Sequence, residues 1–97
     1  MKPYRFHPEA ELDSDQAISW HLERSAELAF RLALEFQSGY RNIAENPNRF
    51  PTYLWGTRRL VLQEFPVFIV YREKPDEIEI IAVAHAKRRP GYWKNRI

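Results

Sequence analysis

The residues best equipped for chemistry in this chain are cationic and aromatic, and they gather near its C-terminal end. The run His85-Ala86-Lys87-Arg88-Arg89-Pro90-Gly91-Tyr92-Trp93-Lys94-Asn95-Arg96-Ile97 carries five Lys/Arg, one His and a Tyr-Trp pair, with no acid. Arg58-Arg59 forms a second cationic pair upstream. Guanidinium groups in such number suit phosphates, carboxylates or an acidic peptide, because each presents a planar fork of N–H donors to two oxygens at once. Tyr92 and Trp93 add flat faces on which bases stack, or apolar bodies that fill a partner's pocket. Cleaving RNA through its 2′-hydroxyl needs a general base, a general acid and cations around the phosphorane. Arg88 suits the cation, and His85 or Tyr92 the proton carrier. A structural role stands beside each of these: His85 as the cap of a strand end, and Trp93 as the closure of the core's edge, where burying so large a ring is worth about 1.5–3 kcal/mol or more.

Other chemistries find no support. The chain has no Cys, which removes disulfides and thiolate zinc sites. It has no glycine-rich phosphate loop and no paired-histidine motif; His7, His21 and His85 lie far apart, so neither a metal nor a cofactor is expected. Ser/His/Asp catalysis has no local signature. No run approaches the ~20 apolar residues of a membrane span, and Met1-Lys2-Pro3-Tyr4-Arg5-Phe6 lacks the apolar stretch of a secretory signal. A cytoplasmic protein without membrane contact is expected. Net charge is only +2, yet it is unevenly spread: eight acids face five Lys/Arg up to Glu45, and five acids face ten Lys/Arg from Asn46 onward. A basic half of this kind steers polyanions or acidic proteins toward one face.

The 97 residues, 44% of them hydrophobic, predict one globular domain over residues 1–97. Tyr4-Arg5-Phe6-His7 alternates and predicts a short strand. Pro8 then suits the first position of a helix, and Glu9, Glu11, Asp13 and Asp15 suit its positive dipole end; Ala10, Ala17, Ile18 and Leu22 supply its inward face to about Arg24. Ser25 caps a second helix, Ala26 to Glu45, whose Ala29, Leu32, Ala33, Phe36, Tyr40 and Ile43 recur at spacings of three and four. Asn46-Pro47 ends it. Asn46 to Thr57 is irregular, with Phe50, Tyr53 and Trp55 either lidding the core or exposed to a partner. Strands follow at Arg58–Phe65 and Val67–Arg72, then a turn at Lys74-Pro75-Asp76-Glu77. The last strand, opening at Glu77 and running to Ala84, alternates briefly and then becomes continuously apolar, which predicts a central place with both faces covered. The expected architecture is α+β, in the order β-α-α-β-β-β: a helical hairpin packed on one face of a small, mainly antiparallel sheet. The start of the Arg58 strand and the end of the Ala84 strand are expected at the same end of that sheet, which would bring the two basic groups together.

In Phe65-Pro66-x-x-Ile69-x-Tyr71, and in Ile78-x-Ile80-x-Ala82-Val83-x-His85-x-x-Arg88-x-Pro90-x-Tyr92-Trp93-x-x-Arg96, the chain resembles the RelE/ParE superfamily of toxins from type II toxin–antitoxin modules. Pro8-Glu9-Ala10-Glu11-x-Asp13 and the Arg58-Arg59 strand start fit as well. The resemblance implies a growth-inhibiting toxin of the kind found in plasmid stabilization, neutralised by an acidic cognate antitoxin that folds along the helical hairpin and the sheet-edge grooves. Operator DNA would be met only through the antitoxin. Arg58, Arg59, Lys87, Arg88, Arg89, Trp93 and Arg96 are the expected partner-binding residues. In RelE-like members the target is the ribosome and its mRNA, which they cleave; Arg88, Tyr92 and His85 would then be catalytic. Gln63 stands near a position where that branch carries an arginine, and losing one such cation costs on the order of 10²–10³ in rate. The ending looks more like the ParE-like branch, which poisons DNA gyrase and lacks the nuclease constellation. A relic that binds antitoxin without being toxic is the third reading.

Overall fold

In the computed structural model, which describes residues 1–97, the order of elements follows the periodicity of the sequence. Strand β1 (Tyr4–Phe6) leads into helices α1 (Pro8–Leu22) and α2 (Ala26–Glu45), followed by strands β2 (Arg58–Val61), β3 (Val67–Glu73) and β4 (Ile78–His85). The helix starts are set by side chains that satisfy otherwise orphaned N–H groups: His7 accepts from the Glu9 N–H, and Ser25 from the Leu28 N–H. No helix is long and apolar enough to cross a membrane.

The sheet order is β1-β4-β3-β2, with β4 central as its apolar run requires. β1 pairs parallel to β4, whereas β2–β3 and β3–β4 are antiparallel. Alternation along β3 divides the interior into two clusters. Val67, Ile69 and Tyr71 join Leu32, Phe36, Tyr40 and Ile43 of α2 in the larger core, while Phe68 and Val70 face the other way. The register slips by one residue where Val70 opposes Ala82 and Tyr71 opposes Ile80, so Ile81 is the extra residue of a β-bulge. That bulge explains why β4 reads as an unbroken apolar stretch rather than an alternating one: Ile80 and Val83 face the helices, and Ala82 and Ala84 the opposite side. Gly39 gives α2 its close approach to the sheet, since a Cβ there would stand 2.9 Å from Ile69 Cδ1.

Two expectations need correction. The strand from Arg58 ends at Val61 instead of running to Phe65, because the Glu35 carboxylate accepts the N–H groups of Gln63 and Glu64 and holds them in a turn. On α1, Leu22 faces outward instead of inward; it is one of six large hydrophobics, with Leu12, Trp20, Leu28, Phe30 and Leu34, left exposed on the helical hairpin.

Candidate functional site: a cationic cleft on the helix-free face

The chain beyond β4 does not trail into solvent. Backbone bonds from Arg88 N–H to His85 C=O, Lys94 N–H to Gly91 C=O and Arg96 N–H to Trp93 C=O fold it into consecutive turns that lie back across the sheet face without helices. Trp93 anchors it, 1% exposed, in the cluster of Phe68, Val70, Ile81, Ala82 and Ala84. Tyr53, in the irregular segment before β2, meets Trp93 at a ring distance of 6.0 Å, and Trp55 meets it edge-on at 5.5 Å. Trp55 takes a left-handed backbone conformation (φ 52°), which is sterically costly for a residue with a side chain. It lays its indole where a Cβ on Gly91 would stand only 2.4 Å from Trp55 Cη2, and Gly91 itself has φ +76°. Only glycine meets both conditions at this point of the tail.

The tail is also tied to α1. Asp13 Oδ2 accepts from Arg96 Nη1 at 2.7 Å, from the Tyr92 hydroxyl at 3.2 Å and from the Val83 N–H at 3.1 Å; Arg96 Nη2 reaches Oδ1 at 3.4 Å. Arg96 Nη1 donates to the Ile81 carbonyl as well. β1 covers the outer edge of β4 only as far as Ile80, so these two side chains take the place of a missing strand beside the bulge. Both are buried, with side-chain exposures of 7% for Arg96 and 8% for Asp13. Burial works against the Arg96 charge, yet the hydrogen bond and charge of Asp13 outweigh it and raise the guanidinium pKa. For the Tyr92 phenol, burial and the Asp13 carboxylate push the pKa up to about 12 against the opposing pull of Arg88 and Arg96.

The sequence-predicted site residues are thereby sorted. Trp93 and Arg96, expected on a partner surface, are interior. Arg58 is not beside the C-terminal cations: β2 and β4 both run antiparallel to β3 and hence parallel to each other, so Arg58 is level with Tyr71 and Ile80 and about 17 Å, at ~3.3 Å per residue, from the His85 end. It donates to the Phe50 carbonyl on the helix side. Arg59, its neighbour, points to the opposite face, where its guanidinium lies over Tyr53 at 4.3 Å and Phe68 at 4.9 Å. There it meets the returning tail. Arg59, His85, Arg88, Arg89 and Tyr92 line one cleft of about 280 Å³ with no acid in its wall. Arg88 lies over the Tyr92 ring at 3.6 Å. Lys87 lines a second, larger cleft of about 680 Å³ that shares His85 and Arg88 with the first and reaches α1 at Trp20. His85 Nδ1 accepts from the Lys87 N–H, the strand-end cap considered for it. No group of metal-ligating side chains is gathered anywhere.

Tyr53, one of the loop aromatics expected either to lid the core or to meet a partner, lines this surface while packing on the smaller core; sequence reasoning passed over Trp20, and Asp13 as the organiser. Asp13 carried a signal: Ala10, Asp13 and Ala17 share the inward stripe of α1, and an acid on such a stripe needs a buried cation.

A helical hairpin on one face of a four-stranded mixed sheet is also the fold of a solved structure titled as the chromosomal ParDE toxin–antitoxin system from P. aeruginosa. It superposes with a TM-score of 0.78 at 20% identity, over 90% of this chain and 98% of that one. The profile of the family described as the ParE toxin of the type II toxin–antitoxin system parDE matches residues 4–90, and the chain belongs to that family. It is therefore a type II toxin whose family partner is a cognate antitoxin. No curated protein matches the chain.

Proposed function

We propose that this ParE-family toxin acts on DNA gyrase, without cutting RNA, and that its antitoxin shields it by covering the helical hairpin. The observation that carries the non-nucleolytic reading is the state of Tyr92. Its hydroxyl proton is donated to Asp13, and a phenol with a pKa near 12 is a poor proton carrier at neutral pH. Gln63 adds to this: its N–H is held by the Glu35 carboxylate, and neither it nor the next residue, Glu64, which is paired with Arg31, supplies the cation a nuclease needs there. Gyrase as the target rests on membership of the ParE family. The antitoxin surface is supported by Phe30 and Leu34, 65% and 50% exposed and one turn apart on α2, an apolar stripe that suits an amphipathic partner segment.

The test is purified toxin added to gyrase and supercoiled plasmid. Inhibited supercoiling with accumulation of a trapped cleavage complex is the expected result. Unchanged supercoiling and no trapped complex at saturating toxin overturns it. The stacking of Arg88 on Tyr92 keeps ribosome-dependent cleavage as the second reading; under that reading Arg88→Ala and Tyr92→Phe slow cleavage of translated mRNA, whereas the gyrase reading expects no cleavage by the wild type.

A further inference from the structure

The turn at Trp55 is built against its own preference. The Leu54 carbonyl accepts from the Thr57 N–H across Trp55-Gly56, and both central residues have positive φ, 52° and 74°. Thr52 pairs antiparallel with Arg58 beneath them, so this is a two-residue hairpin turn of type I′. Such a turn favours Asn or Asp ahead of the glycine, because a short polar side chain tolerates the left-handed region and a bulky one does not. Here the largest side chain takes that place, and the residue stays 47% exposed. The indole touches Gly91 through one edge only, Cζ3 and Cη2. A backbone strained to hold up a half-exposed ring argues for recognition beyond packing. The chain around the ring is free of acids. Residues 46–63 and 85–97, which roof this side of the sheet, contain none. Lys94 holds its ammonium 5.0 Å from the Trp55 ring centre, and neither it nor Arg89 pairs with a carboxylate. Glu79, on the same side of β4, is buried and matched to Arg72 and Lys74.

We infer that Trp55 anchors the surface with which the toxin grips its target protein. The indole fills an apolar recess of an acidic protein surface, and Lys94 and Arg89 meet carboxylates on the rim of that recess. One central indole within a charged margin is the arrangement of a protein–protein hot spot, in which the margin excludes water from the anchor. The inference rests on the gyrase reading and adds to it the face and the residue of contact. Trp55 packs on the helix-free side of the sheet, away from the apolar stripe of Phe30 and Leu34 on α2. Target and antitoxin are thereby assigned to opposite faces.

The experiment is surface plasmon resonance of the full chain on immobilised gyrase holoenzyme, with the melting of each variant followed by circular dichroism. Trp55→Asn suits the turn better than the natural residue, so it is expected to melt cooperatively while losing gyrase affinity about 30-fold, the mark of a hot spot. Lys94→Glu, at an exposed position, is expected to show a smaller loss that shrinks as salt rises. It decides the matter alone if Trp55→Asn does not fold. Arg41→Glu, on the exposed side of α2, is expected to bind as the wild type does. Wild-type affinity in both Trp55→Asn and Lys94→Glu, or an equal loss in Arg41→Glu, overturns the inference and leaves the gyrase reading standing. A wild type that does not bind gyrase overturns both. Binding to plasmid alone, weakened to the same extent by the same variants, overturns the inference in favour of a nucleic-acid surface.

Discussion

The two faces of the sheet are covered by different means. On one, two long helices lay a regular stripe of Leu32, Phe36, Tyr40 and Ile43 onto β3 and β4, and the resulting core has fourteen buried residues. On the other, six buried residues are roofed by irregular chain, the turns around Trp55 and the returning tail. The tail face has arginines set among its rings and clefts at its edge. Periodic backbone satisfies its own hydrogen bonds and so covers large apolar areas cheaply; irregular backbone leaves side chains free to point outward, which is what a binding surface needs. The difference teaches that regular and irregular chain do unlike work on opposite sides of one four-stranded sheet, with most of the buried core on the helical side.

Val83→Asp attacks the side that should bear the stability. It places an unpaired carboxylate in the larger core, at a cost of several kcal/mol against the ~5–15 kcal/mol of a domain this size. The expected outcome is loss of the cooperative melt by circular dichroism; a folded mutant would break the comparison. Trp93→Ala attacks the other side. A loss of about 3–5 kcal/mol is expected from a buried indole, and hydrogen exchange should show the tail amides deprotected while β3 and β4 keep theirs. Equal deprotection of both would mean that the two faces are one cooperative unit. Gly91→Ala is smaller, about 1–3 kcal/mol, from a left-handed backbone and the clash with Trp55; rescue by Trp55→Ala, read from the melting temperature, would localise it to that contact.

The smallest effect is alkaline. Burial raises the pKa of Tyr71 and of Tyr92 to about 12. Because the folded-state values lie above the ordinary ~10, the neutral phenols' contribution is complete below about pH 10 and is lost as pH rises toward 12. Phenolate absorbance should therefore show these two tyrosines titrating late, together with a falling melting temperature. Tyr92→Phe removes the late phenol of the tail face, and Tyr71→Phe one of those of the helical face, where burial raises Tyr40 still further.

The helical side was largely legible in the sequence. Spacings of three and four in α2 named its inward residues, and the apolar run of β4 named the central strand, because periodic backbone imposes a period on burial. The tail side was legible in content and obscure in arrangement. Lys87, Arg88, Arg89 and Tyr92 were recognisable as a basic, aromatic group, but nothing periodic told that Gly91 and Trp93 turn it back over the sheet. Arg58 and Arg59 read as a pair, yet strand alternation sends them to opposite faces, and only Arg59 reaches the cleft. Asp13 read as a dipole partner at a helix start because acids there are common; its true partner, Arg96, lies 83 residues away.

The pairing of β1 with β4 joins Tyr4 to Ile78 and Phe6 to Ile80 across both helices and both other strands. Contacts so remote in sequence form late and slow the search for the native state. Until they form, the outer edge of the most apolar strand is bare, and a newly made chain at this stage is liable to capture by any strand that arrives first. The closing step of assembly is thus where this small protein is most exposed to misfolding.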